Sequence, residues 1–107
     1  MKKIEAFIKS HRLDEVALAL HHVDGLSGMT ITDARGFGRG RKVDASADDF
    51  HKIVRIEIFS TDEMADEIVS VIEKAAHTGL RGDGKIYVIP VDLAVRISSG
   101  ERGNVAV

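Results

Sequence analysis

The chain has 107 residues, no cysteine and a formal net charge of −2, its 15 basic and 17 acidic residues mixed along its length. That length predicts a single domain over 1–107, able to bury a core without cross-links. The composition excludes disulfide scaffolds, thiolate metal sites and cysteine nucleophiles, and the mixed charge argues against nucleic-acid partners or a membrane surface. Apolar runs of only a few residues, with Glu5 inside the first of them, predict neither a membrane span nor a signal peptide but a soluble, cytoplasmic protein.

Lys2–Lys9, "KKIEAFIK", alternates Ile4, Ala6 and Ile8 against Glu5, Phe7 and Lys9, the period of a strand with one buried face. From Leu13 the period becomes helical, with Leu13, Val16, Leu20 and Val23 on one side. Asp14 and Glu15 suit the helix dipole in the first turn, and Gly25 is the expected stop. A β-branched strand begins near Met29 and runs into the Gly/Arg-rich stretch "RGFGRGRK", followed by a polar loop over Val43–Asp49. Phe50–Ser60 is again a strand, with Val54, Ile56 and Ile58 opposed to Ile53, Arg55, Glu57 and Phe59. Ser60-Thr61-Asp62-Glu63 has the form of a capping box, opening a helix with Met64, Ile68, Ile72, Ala75 and Ala76 on one face and Gly79 as its stop. "KIYVIPV" from Lys85 is an apolar strand, and Leu93–Ile97 a short additional one.

The order strand-helix-strand, strand-helix-strand predicts an α+β ferredoxin-like sandwich, βαββαβ, with both helices on one face of an antiparallel sheet. Phe7 and Phe59 would then lie on the other face, which must be solvated, covered by a ligand or buried in an oligomer. The apolar residues on both sides of "IYVIPV" favour the oligomer.

Two glycine-rich segments carry the candidate chemistry. Gly79, Gly84 and Lys85 have the G-x-x-x-x-G-K spacing of a phosphate loop, but the order here is helix, loop, strand, and Ile86 stands where a Ser or Thr should hold magnesium. A P-loop hydrolase is excluded. The segment fits either an anion-binding nest of amides beside Lys85 or a helix stop and tight turn. Arg35–Lys42 is no dinucleotide fingerprint, because Arg41 stands where the third glycine should be. Its Arg35, Arg39, Arg41 and Lys42 suit either phosphate coordination or a charged solvent loop. Both loops belong to one sheet and no acidic catalytic pair accompanies them. Together they point to phosphate binding without hydrolysis.

"MKKIEAFIK", "LDEV", "GMTITDARGFGRG", "VRIEIFS", "TGLRGDGKIYVIPV" and "RISSGE" together resemble the PII signal-transduction proteins (nitrogen regulatory protein P-II). The resemblance covers nearly the whole chain apart from the central loop. It implies a homotrimer that binds ATP or ADP in clefts between subunits, and it leaves magnesium open. It implies regulation of a target protein, such as a membrane transporter, through a T-loop at about 38–50. By motif, Gly36, Gly38 and Arg39 correspond to the base of that loop. Gly82, Asp83, Gly84 and Lys85 correspond to the phosphate-contacting B-loop, Arg96 to the first C-terminal arginine, and Phe7, Thr30 and Phe59 to the adenine enclosure.

Departures from the family pattern imply a divergent, PII-like member. The T-loop is several residues shorter, and the one tyrosine, Tyr87, lies in a strand, so uridylylation is not expected. Gly40 replaces a glutamine, Ile53 a lysine (Lys52 is one position away) and Ser98 the second arginine, which argues against 2-oxoglutarate sensing and towards ADP, AMP or another effector such as cyclic AMP or bicarbonate. His21 and His22 are adjacent and cannot chelate one ion as an i, i+4 pair would, so no metal site is expected; His11, His51 and His77 are isolated. Two rivals are weaker. A phosphate-ester enzyme could cast Asp83 and Arg96 but shows no general base, and an RNA module would need more exposed aromatics in basic surroundings. No catalytic residue is assigned.

Overall fold

The computed structural model describes residues 1–38 and 50–107. Arg39, Gly40, Arg41, Lys42, the loop Val43–Asp49 and most of the expected T-loop lie outside the described residues. The elements follow one another as β1 (Lys2–Lys9), α1 (Leu13–His21), β2 (Thr30–Gly36), β3 (His51–Ser60), α2 (Asp62–Ala76) and β4 (Gly84–Pro90). The sheet order is β2-β3-β1-β4 with every neighbouring pair antiparallel, the expected ferredoxin-like sandwich. No helix among the described residues is long and apolar enough to cross a membrane.

The alternation read in the sequence decides which face is covered. Ile4, Ala6 and Ile8 of β1 and Val54, Ile56 and Ile58 of β3 are buried under the helices. They meet Val16 and Leu20 of α1 and Ala65, Ile68, Ile72 and Ala76 of α2 in one cluster. Each buried Ile or Leu there contributes about 1.5–3 kcal/mol relative to exposure. Arg12 ties the two helical units together, its Nε and Nη2 donating to the Ala75 carbonyl at 3.1 and 2.6 Å.

The opposite face is open and charged at its centre. Lys3 Nζ sits 2.9 Å from Glu5 and 3.2 Å from Glu57, and Arg55 lies 3.0 Å from Glu57. The bonds to Glu5 and Glu57 hold the Lys3 pKa above its ordinary value. Phe7 and Phe59 are on this face as expected, Phe59 being 45 % exposed.

Two sequence readings are corrected. The capping box is not made: Ser60 ends β3, is only 3 % exposed, and its hydroxyl donates to the Thr61 carbonyl at 2.9 Å. Thr61 is the N-cap of α2 and makes no side-chain capping bond; Asp62, in the first turn, accepts from the amino group of Met1 at 2.8 Å instead. That contact lowers the Asp62 pKa. Nor does Leu93–Ile97 form a strand. It contributes one bridge, Val95 to Arg102, within a tight excursion closed by Gly103 N donating to the Ala94 carbonyl at 3.0 Å.

Candidate functional site

Three segments converge where β4 begins. The end of β1 brings Phe7 between Arg55 of β3 and Lys85 of β4 in the strand register. The exit of β2 brings Gly36, Phe37 and Gly38, and the segment after α2 brings Gly82 and Gly84. With His51, Ile53 and Tyr87 these line an open depression of about 410 Å³. An adjoining one of about 380 Å³ shares Phe7, Gly84 and Lys85 and adds Glu73, His77 and Asp83. Tyr87 packs edge-on against Phe7, ring centres 6.3 Å apart. Phe37 packs against Phe50 at 5.6 Å.

Backbone geometry explains the glycines of this loop. Gly84 has φ +105°, and a Cβ there would fall 1.7 Å from the Phe7 carbonyl oxygen. No other residue type lets β4 approach β1 this closely. Gly79 and Gly82 both have φ +81°.

Asp83 binds inward. Its carboxylate accepts from Thr78 N at 2.9 Å and from the Thr78 hydroxyl, and lies 3.2 Å from Lys9 Nζ and 3.5 Å from His77 Nδ1. Thr78 Oγ1 in turn accepts from Leu80 N at 3.1 Å and Lys9 Nζ at 3.4 Å. These donors, the Thr78 hydroxyl first, then its amide, then Lys9, hold the Asp83 carboxyl far below the usual carboxylate range against the opposing effect of burial. Lys85 makes no ion pair among the described residues, so its ammonium is available to an incoming anion.

Of the residues picked out in the sequence, Phe7, Gly36, Gly38, Gly82, Gly84 and Lys85 come together around one depression, with Asp83 in the next. Thr30, Phe59 and Arg96 do not join them within a chain. Phe59 pairs with Lys3, four residues along β1 from Phe7, or about 13 Å at the usual strand rise. It borders a different recess, with Leu26, Met64 and Asn104. Thr30 lies opposite Glu57 on the edge strand. Arg96 sits in the excursion after β4, its Nε 3.8 Å from Glu101 and its Nη2 donating to the Val105 carbonyl at 3.4 Å. Arg39 lies outside the described residues.

Sequence reasoning missed Phe37, His51, Thr78 and Lys9. Strand parity could have found Tyr87, which shares the face of Phe7. The register also settles the Lys52 question: Lys52 pairs with Arg35 and, like Val54, points to the helix side, whereas Ile53 points into the depression. A one-residue displacement along a strand reverses the face, so Lys52 is no substitute for a lysine at 53. Among the described residues no group of three His, Asp or Glu side chains could hold a metal ion.

The profile of the family described as Nitrogen regulatory protein P-II matches residues 1–101. Relatives of the same description include those of Azospirillum brasilense, 47 % identical, and Rhodospirillum rubrum, 45 % identical, each aligned over the whole of both chains. That of Rhizobium meliloti is 46 % identical over 96 % of each chain. The first two alignments span 113 positions against 107 residues, leaving six positions that this chain does not fill. Match, coverage and fold agree: the chain belongs to the nitrogen regulatory protein P-II family, whose members are signal-transduction regulators and not enzymes.

Proposed function

We propose that the chain is an adenine-nucleotide-binding regulator that works as a homotrimer. Its B-loop, Gly82, Asp83, Gly84 and Lys85, holds the phosphates with Arg39 and Arg96, while Phe7, Thr30 and Phe59 enclose adenine across a subunit boundary. ATP or ADP is the ligand class, with AMP included. Phosphate number then shifts the population of loop states at 38–50 that a target protein, such as a membrane transporter, reads. The observation that carries this reading is the split of the site. Gly82, Gly84 and Lys85 gather where β4 begins, whereas Thr30 and Phe59 lie at the other end of the sheet, so on this reading one chain supplies two halves that do not meet. A neighbouring copy placed head to tail against it would complete the pocket.

One observation favours a second effector other than 2-oxoglutarate. Ile53 presents a hydrocarbon side chain to the depression, and Lys52 faces away. AMP, cyclic AMP or bicarbonate are the alternatives. Calorimetry with ATP, ADP, AMP, cyclic AMP and adenosine, each with and without magnesium, 2-oxoglutarate or bicarbonate, is the test. Saturable binding of ADP or ATP without turnover is expected, and Lys85→Ala should weaken ADP roughly tenfold while leaving adenosine alone. A monomer with no affinity for any adenylate would overturn the proposal.

A further inference from the structure

Asp83 stands in the middle of a loop offered to phosphate, and a carboxylate is the wrong charge for that ligand. The geometry resolves the conflict. Thr78 N, Thr78 Oγ1, Lys9 Nζ and His77 Nδ1 all reach the carboxylate, which lines the depression beside Lys85. Its acceptor sites are thus occupied by the chain itself, and the ammonium of Lys9 offsets its charge. Thr78 Oγ1 completes the knot by accepting from Leu80 N at 3.1 Å. The bonds from residue 78 to residue 83 close a loop whose turns at Gly79 and Gly82 have positive φ.

We infer that the Asp83 side chain is a positioning group: with Thr78 and Lys9 it ties the 78–85 loop into the shape that points its amides, that of Asp83 included, and Lys85 at a phosphoryl group, without the carboxylate touching that group itself. The inference deepens the proposed nucleotide site and rests on that reading for its ligand. What is new is the division of labour. Thr78 and Lys9 line neither depression, Thr78 opening the loop and Lys9 joining it from a strand 69 residues away in sequence.

A direct contact and a positioning role make opposite predictions for Thr78, whose hydroxyl is committed to Asp83. Titrations of ADP and adenosine into the full chain and into Thr78→Val, Asp83→Asn and the double variant separate them. Positioning predicts that each single variant loses roughly tenfold in ADP affinity, about what one lost hydrogen bond to a charged group is worth. Adenosine should bind as before, and the double variant should be no worse than either single one, because the two act as a unit. Backbone amide hydrogen exchange of 78–85, measured without ligand, should quicken in all three variants. That arm stands even where wild type fails to bind nucleotide, a result that would sink the proposed function alone. Unchanged exchange, or a Thr78→Val variant that binds ADP like wild type while Asp83→Asn does not, would overturn the positioning role. Equal losses for ADP and adenosine would also overturn it, since they would mean general disorder.

Discussion

Gly84→Ala tests the contact on which the site geometry turns. The new methyl would lie 1.7 Å from the Phe7 carbonyl oxygen and 2.8 Å from its carbon, both backbone atoms that no rotamer change can clear. An ordinary contact needs about 3.4 Å, and φ +105° is strained for any side chain besides. The chain has two ways out. It can keep the register and absorb a clash of well over an ångström, or it can peel the start of β4 from β1 and give up the Ile8–Gly84 pairing. Peeling is the cheaper: one or two ladder bonds at about 1 kcal/mol each and part of the cover over Ile86 cost about 1–3 kcal/mol, which caps the global loss. The local effect is far larger, because Lys85 and the loop before it ride on the peeled end. Thermal unfolding should therefore fall by about 4–12 °C for a chain of this size, with ADP binding lost. Gly79→Ala is the control: φ there is +81° and no atom lies within 4 Å of the added methyl. It should cost only the left-handed strain of about 1–2 kcal/mol and spare the β1–β4 pairing. A Gly84→Ala protein with wild-type melting temperature and ADP affinity would refute the reasoning.

Two further outcomes test the core and the loop. Ile72, fully buried between the helices and the sheet, should cost about 2–5 kcal/mol when cut to alanine, the usual range for a buried aliphatic truncation, read by denaturant midpoint at unchanged slope; a loss below 1 kcal/mol would deny it a central place. The Asp83 carboxyl is held below its ordinary value of 3.8, so its stabilising contribution is complete well above that value and is lost as pH falls from there towards the depressed folded value. The difference in melting temperature between wild type and Asp83→Asn should be steady from pH 7 to about 5 and narrow progressively below pH 4, whereas a gap that stays constant to pH 2.5 would mean the carboxylate charge is not what the loop uses.

What was legible in the sequence follows from local periodicity. The β1 alternation and the helical spacing after Leu13 fixed both elements and their buried faces, since each pattern has one geometrical reading. The same alternation carried the warning against the capping box. Ser60 shares the parity of Val54, Ile56 and Ile58, and so it points into the core rather than to a helix end. Leu93–Ile97 misled for a different reason: its apolar residues imply burial, yet among the described residues it makes only the Val95–Arg102 bridge, and Ile97 is 97 % exposed within one chain. In the site, Gly84 was recognisable as a glycine that matters, but its reason, the Phe7 carbonyl, is visible only once β1 and β4 are paired. The same holds for Lys9 and Thr78, which meet because the sheet places them together and not because of any spacing.

The distribution of exposed groups says where assembly energy would come from in the proposed trimer. The centre of the open sheet face is no apolar patch. Lys3 is already satisfied by Glu5 and Glu57, while Arg55 Nε is buried without a hydrogen-bond partner among the described residues. Covering those charges gains little, since desolvation offsets pairing. Tyr87, Val88 and Ile89 of the edge strand β4 are instead exposed apolar side chains, and the run continues in sequence through exposed Leu93, Val95 and Ile97. Closing that edge against a neighbour buries hydrocarbon and removes an unpaired strand edge at once. The run continues from Gly84 and Lys85 at one end to Arg96 at the other, so the surface that would hold copies together and the groups that would hold phosphate are one stretch of chain. Nucleotide affinity and assembly are then a single linked equilibrium: a ligand bound only by the assembled form stabilises it, by about 2.7 kcal/mol at a hundredfold excess over Kd. On that proposal the regulator would need no separate device to keep its isolated chains silent, because an isolated chain would lack a complete site.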